Sequence, residues 1–160
     1  MKILIVSDTH GREQNLEEAL KRTGHIDQLI HLGDVEGGED RIRKLCPDAP
    51  VAMIAGNNDY FCDLPSERMF TLGPYRIWMT HGHGYFVYSG TLYLKKEARK
   101  KGADIVMYGH THKPCIEQEE GLTVLNPGSL SLPRQEGRRP TYIVMEIDQS
   151  GKMTCQLQYL

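Results

Sequence analysis

The sequence predicts an α/β fold in which two packed β-sheets of mixed direction are flanked by helices. Three observations predict it. Short apolar runs alternate with helical patterns over residues 2–55. Paired β-patterned segments joined by tight turns dominate the remainder. Five clusters of carboxylate, amide and imidazole residues each follow an apolar run, at the strand ends where α/β sheets bind ligands.

The elements follow in order. Residues 2–6 read as a buried strand. A helix is expected from about Glu13 to Thr23, with Leu16, Ala19 and Leu20 on one face and Gly24 at its end. Gln28–His31 is a short strand, Glu39–Leu45 a helix stopped by Cys46-Pro47, and Val51–Ala55 a third strand. Glu67–Leu72 and Tyr75–Thr80 flank Gly73-Pro74 as a hairpin. A helix from about Thr91 to Lys101 and a strand at Asp104–Met107 come next. Pro114–Gln118 and Leu122–Leu125 form a second hairpin around Glu119-Glu120-Gly121. Thr141–Ile147 and Met153–Tyr159 close the chain around a turn at 148–151. Gly137-Arg138-Arg139-Pro140 reads as a solvated loop, and Trp78 as core.

At 160 residues the chain is expected to form one domain, residues 1–160, with a substantial core. Its 39 % hydrophobic and 25 % charged content suits a globular protein better than a disordered chain. A net charge of -2 gives no footprint for a polyanion, which argues against long-range attraction to nucleic acid. No apolar run reaches the length of a membrane span. No signal-peptide pattern precedes the first strand, so the expected location is the cytoplasm. The four cysteines, Cys46, Cys62, Cys115 and Cys155, show no zinc-binding spacing and are expected to be reduced and mostly buried.

The clusters are Asp8-Thr9-His10, Gly33-Asp34, Gly56-Asn57-Asn58-Asp59, His81-Gly82-His83 and Gly109-His110-Thr111-His112, and they hold five of the seven histidines. Asp8, His10, Asp34, Asn57, His81, His110 and His112 offer oxygen and nitrogen ligands without thiolate. That mixture suits Mn²⁺, Fe²⁺, Zn²⁺, Co²⁺ or Ni²⁺ rather than calcium or a structural zinc site. Seven ligands exceed what one tetrahedral ion accepts, whereas two ions sharing a carboxylate use them all. Taken singly, Asp8 reads equally well as a helix cap and Asn57-Asn58 as residues tolerant of left-handed backbone. His25 and His31 lie outside the clusters and read as structural.

In this order the clusters resemble the D-x-H, GD, GN-x-[DE], H-G-H and GH-x-H series of the calcineurin-like metallophosphoesterase superfamily. The span from residue 8 to 112, the small size and Asn126-Pro127-Gly128-Ser129 before Leu132-Pro133-Arg134 resemble its small prokaryotic YfcE-type phosphodiesterase branch. The resemblance implies a four-layer α/β/β/α sandwich and two divalent transition metal ions, Mn²⁺ first, with Ni²⁺, Zn²⁺, Fe²⁺ or Co²⁺ as alternatives. It puts Asp8, His10 and His112 on one ion, Asn57, His81 and His110 on the other, and Asp34 between them. It implies hydrolysis of a small phosphodiester, of the nucleotide or nucleotide-derived kind, by a metal-bridging hydroxide. His83 takes the position of a near-site histidine that touches substrate or sits behind the ligands. The family's larger members carry histidine where this chain has Asn58, and an amide is no general acid near pH 7. Asn58 can still donate a hydrogen bond to a phosphoryl oxygen.

Other readings remain open at this level. A phosphomonoesterase or nuclease would use the same metals. A non-catalytic interaction scaffold is the third, since a eukaryotic retromer subunit resembles this family. Tyr60 and Phe61 are candidates for the site mouth, and Arg134 for either a substrate phosphate or a surface ion pair. Asn126 and Ser129 are expected to shape a turn behind the histidine loop. An exposed sheet edge leaves room for a homo-oligomer.

Overall fold

Ile3, Leu4, Ile5 and Val6 are all fully buried, which a strand achieves only when both of its faces are covered. The computed structural model, which describes residues 1–160, supplies both covers. β1 (Lys2–Val6) pairs in parallel with β2 (Gln28–His31), and β2 pairs in parallel with β3 (Val51–Met53). α1 (Gln14–Thr23) and α2 (Glu39–Leu45) make the crossovers. β9 (Thr141–Ile147) and β10 (Met153–Tyr159) then add antiparallel on the other side of β1, giving the order β10-β9-β1-β2-β3.

The second sheet has the order β4-β5-β6-β8-β7. Its centre is parallel: β5 (Tyr75–Thr80), β6 (Ile105–Met107) and β8 (Leu122–Pro127) run together, with α3 (Leu92–Lys100) between the first two. β4 (Glu67–Leu72) and β7 (Pro114–Glu119) are the antiparallel edges, each joined to its neighbour as a hairpin.

Strand alternation sorts the core into layers. Ile3 and Ile5 face Ile77, Met79, Ile105, Met107 and Leu125 between the two sheets. Leu4 and Val6 point the other way, against Leu16 and Ala19 of α1 and Ile42 of α2. Trp78, Val106 and Val124 pack outward against Leu94 and Ala98 of α3. The result is the expected α/β/β/α arrangement. It also brings the C-terminal ends of β1, β2, β3, β5 and β6 to one edge of the sandwich, where all five clusters emerge.

Several expectations are corrected. The strand expected over Val51–Ala55 ends at Met53, although Ile54 stays buried in the inter-sheet core. The second hairpin runs further, to Glu119 and Pro127, which places Asn126 on a strand. Two 3₁₀ turns, His83–Tyr85 and Val87–Ser89, were not legible. Of the four free cysteines only Cys46 is buried; the other three are half-buried on loops and edge strands. The left-handed backbone allowed for Asn57-Asn58 lies elsewhere, on the ligand candidates themselves.

His31 is structural, as expected. It is fully buried, accepts the Gly33 N–H at Nδ1 and contacts Thr9 Oγ1 at 3.0 Å through Nε2. Burial pushes its pKa down to about 4. The unfolded chain therefore takes up a proton below about pH 6.5 that the native state refuses until about pH 4. His31's stabilising contribution is intact above pH 6.5 and falls by about 3 kcal/mol as the pH drops to 4. Urea unfolding under chelator at pH 7 and pH 5 is expected to show a smaller pH dependence for His31→Gln than for wild type. Equal dependence in the two proteins would contradict this.

Candidate metal centre

The ligand candidates sit on backbone that few residues adopt. Asp8, His10, Asp34, His110 and His112 all have positive φ, between 48° and 67°. Each costs on the order of 1 kcal/mol outside glycine and persists only when its surroundings fix it. Here the loops fix one another. The Asp8 N–H donates to Gly33 O (3.0 Å), the His10 N–H to Asp34 O (2.9 Å) and the Gly109 N–H to His81 O (3.1 Å). The Asp8 carbonyl accepts from Ser129 Oγ and Ser131 Oγ at 2.8 and 2.9 Å. Asn126 Nδ2 donates to Gly109 O, so the turn behind the histidine loop is where it was expected.

Three imidazoles are oriented alike. Nδ1 of His10 lies 2.7 Å from Glu36 Oε1, that of His81 2.7 Å from Leu32 O, and that of His112 2.7 Å from Leu132 O. Carboxylates and carbonyls only accept, so each Nδ1 carries a proton and each ring turns its Nε2 inward, a lone pair in the tautomer that can ligate a metal. His10 Nε2 and His112 Nε2 then face each other at 3.3 Å with no hydrogen to share. Asp8 Oδ1 is buried and takes no hydrogen bond. It lies 3.1 Å from His112 Nε2, 3.9 Å from His81 Nε2 and 4.0 Å from His10 Nε2. His81 Nε2 meets another acceptor, Asn57 Oδ1, at 3.1 Å.

Ligand atoms of Asp8, His10, Asp34 and His112 fall within 4.8 Å of one another. Acceptors pressed against acceptors in a buried pocket are costly unless a cation lies among them. The oxygen and nitrogen donor set fits a divalent transition ion. Electrostatics agree: burial lowers the His81 pKa, but the nearby Asp34 and Asp8 carboxylates, Asp34 Oδ2 at 3.5 Å from Nε2, outweigh it and raise it above the ordinary value. The carboxylates draw positive charge to that nitrogen. Burial, aided by His81, lowers His110 to about 4.

Residues 1–150 match the calcineurin-like phosphoesterase superfamily domain. The chain belongs to that superfamily. A probable metallophosphoesterase of Bacillus subtilis, YsnB, is 36 % identical over 149 residues, covering 92 % of this chain and 85 % of its own. The crystal structure of a Streptococcus pneumoniae protein described as a predicted phosphoesterase has a TM-score of 0.79 at 29 % identity, with coverage of 99 % of this chain and 97 % of that one. Vps29 from Entamoeba histolytica, solved with Zn²⁺, shares the fold with a TM-score of 0.80 at 23 % identity and 99 % coverage of both chains.

Within this phosphoesterase fold every residue singled out for the site reaches the same edge. His110 packs its ring between those of Tyr88 and His81, with centroids 4.8 and 5.1 Å away. His83 stands further out, 5.6 Å from the His81 ring and 6.0 Å from the His110 ring. Asn58 donates its N–H to Asp34 Oδ1 (2.9 Å) and its Nδ2 to Asp34 Oδ2 (2.7 Å). Burial disfavours the Asp34 charge, but these bonds and His81 hold its pKa well below the usual carboxylate range.

Tyr60 and Phe61 line a cleft of about 960 Å³ beside the centre, together with Asn58, Asp59 and Arg43. Glu36, which orients His10, went unrecognised in the sequence. So did Asp59's double acceptance from the Glu36 and Gly56 N–H groups at 2.6 and 2.7 Å. Both lie within two residues of a motif ligand, the one signal that pointed to them. The Leu32 and Leu132 carbonyls carry no side-chain signature at all.

Proposed function

We propose that this phosphoesterase is a phosphodiesterase holding two divalent transition metal ions, Mn²⁺ first among them. Asp8, His10 and His112 would hold one, Asn57, His81 and His110 the other, with Asp34 shared. The observation that supports this reading most is the buried, unpartnered Asp8 Oδ1 surrounded by inward-turned imidazole nitrogens. When bound, such a pair of ions lowers the pKa of water toward neutrality and neutralises phosphoryl charge.

The chain's own residues do the rest. Glu36 and the Leu32 and Leu132 carbonyls fix the imidazole tautomers. Asn58 orients both oxygens of Asp34, which leaves only its second Nδ2 hydrogen for a phosphoryl oxygen. His83, exposed at the mouth, would be the imidazole that meets the substrate.

Preference for a diester follows from charge. The cleft beside the centre is lined by Glu36, Glu39, Asp40, Asp59 and Asp63 against Arg43 alone. That field penalises a dianionic monoester more than a monoanionic diester and disfavours a polyanionic nucleic acid. Metal-stripped protein is expected to hydrolyse bis-p-nitrophenyl phosphate faster than p-nitrophenyl phosphate, and only after Mn²⁺ is added. Faster monoester turnover would replace this reading with a phosphomonoesterase. Stoichiometric metal binding with no turnover of either ester would favour the scaffold reading.

A further inference from the structure

Arg134 is held in an unusual way for a surface arginine. Its backbone N–H donates to His112 O at 3.0 Å. Its Nη1 donates to the hydroxyl of Tyr88, and that hydroxyl donates in turn to His110 O at 3.0 Å. The Tyr88 ring lies edge-on to the His110 ring, 4.8 Å between centroids. The guanidinium is thus fixed at the lip of the loop that carries two ligand candidates.

Three arginines of this chain are neutralised, Arg22 by Glu18, Arg41 by Glu13 and Glu17, and Arg99 by Glu119, whereas others such as Arg12, Arg43 and Arg68 form no ion pair. Arg134 forms no ion pair, and its Nε and Nη2 have no protein acceptor. A neutral hydroxyl aims it without cancelling its charge. A guanidinium kept uncompensated, with its fork open, is built to meet a planar pair of anionic oxygens.

We infer that Arg134, aimed by Tyr88, anchors a non-bridging phosphoryl oxygen of the substrate. The inference rests on the phosphoesterase reading of the same site, and the surface ion pair considered for Arg134 from the sequence is absent. Arg134 is the contacting residue and Tyr88 a positioning residue.

The test is calorimetric titration of inorganic phosphate into Mn²⁺-loaded protein, beside kinetics on bis-p-nitrophenyl phosphate. Arg134→Met is expected to weaken phosphate binding and raise KM together, each on the order of tenfold, with kcat and Mn²⁺ affinity nearly unchanged. Arg134→Lys is expected to recover part of the loss, because the charge returns without the fork. Tyr88→Phe is expected to give a smaller rise in KM, since the cation remains but is no longer aimed. Unchanged phosphate binding in Arg134→Met would overturn the assignment. So would a parallel loss of Mn²⁺ affinity, which would make the pair a brace for the ligand loop. If wild type binds phosphate through Arg134 yet turns over neither ester, the anchor stands and the phosphodiesterase reading fails.

Discussion

Asp34→Asn is expected to lower activity by roughly 10³-fold or more and to weaken every bound metal ion, beyond the roughly 10–100-fold typical of removing a residue behind the ligands. Asp34, like Asp8, lies against imidazoles assigned to both proposed ions, and in the proposed arrangement it is the carboxylate they share. Its Oδ2 lies 3.9 Å from His10 Nε2 and 3.5 Å from His81 Nε2. The substitution removes the shared charge and turns an amide N–H₂ toward Asn58, which already donates both its N–H and its Nδ2 there. One of the two Asn58 donors would then face a donor where a carboxylate oxygen stood. Asn58→Ala removes only the Nδ2 bond to Asp34 Oδ2, keeps the backbone N–H bond to Oδ1, and is expected to cost roughly 10–100-fold with metal retained. Measuring kcat/KM and bound Mn²⁺ for both variants checks this. Equal losses with metal content unchanged would contradict the shared role of Asp34.

Gly56→Ala is expected to cost on the order of 10²-fold in kcat/KM although it alters no ligand. A Cβ at residue 56 would fall 2.2 Å from Asp34 Oδ1 and 2.5 Å from the Asp34 backbone nitrogen. Atoms do not approach so closely, and what stands in the way is the Asp34 carboxylate together with its backbone nitrogen. The Gly56 loop or Asp34 must move by about an ångström, enough to misplace the carboxylate against the imidazoles. The variant is expected to melt as a folded protein while losing activity, because the clash sits at the strand ends and not in the inter-sheet core. Wild-type activity in Gly56→Ala would show that the two loops are looser than the structure has them.

Much of this was legible in the sequence, and the reasons are physical. Ile3-Leu4-Ile5-Val6 is apolar throughout because both of its faces are buried, so the run itself announces a central strand. Leu16 and Ala19 share one helix face because that face meets the sheet. The clusters could be found because side chains at strand ends must carry the chemistry themselves. What escaped has no side-chain signature. The Leu32 and Leu132 carbonyls that set the His81 and His112 tautomers belong to the backbone. The positive φ of Asp8 and His110 comes from loops bracing one another across the sandwich, not from local preference. Ile54 stays apolar because it is buried, although it has left the β3 ladder, so its run overstated the strand. Insertion of β9 beside β1 joins segments far apart in sequence, which periodicity does not encode. Tyr88 lies on a 3₁₀ turn without a repeating pattern, so its contact with His110 emerged only with the fold.

The central claim is that these facing acceptors hold two cations. Calorimetric titration of Mn²⁺ into metal-stripped wild-type protein tests it most directly. Two equivalents are expected to bind per chain. One equivalent, or none, would contradict it.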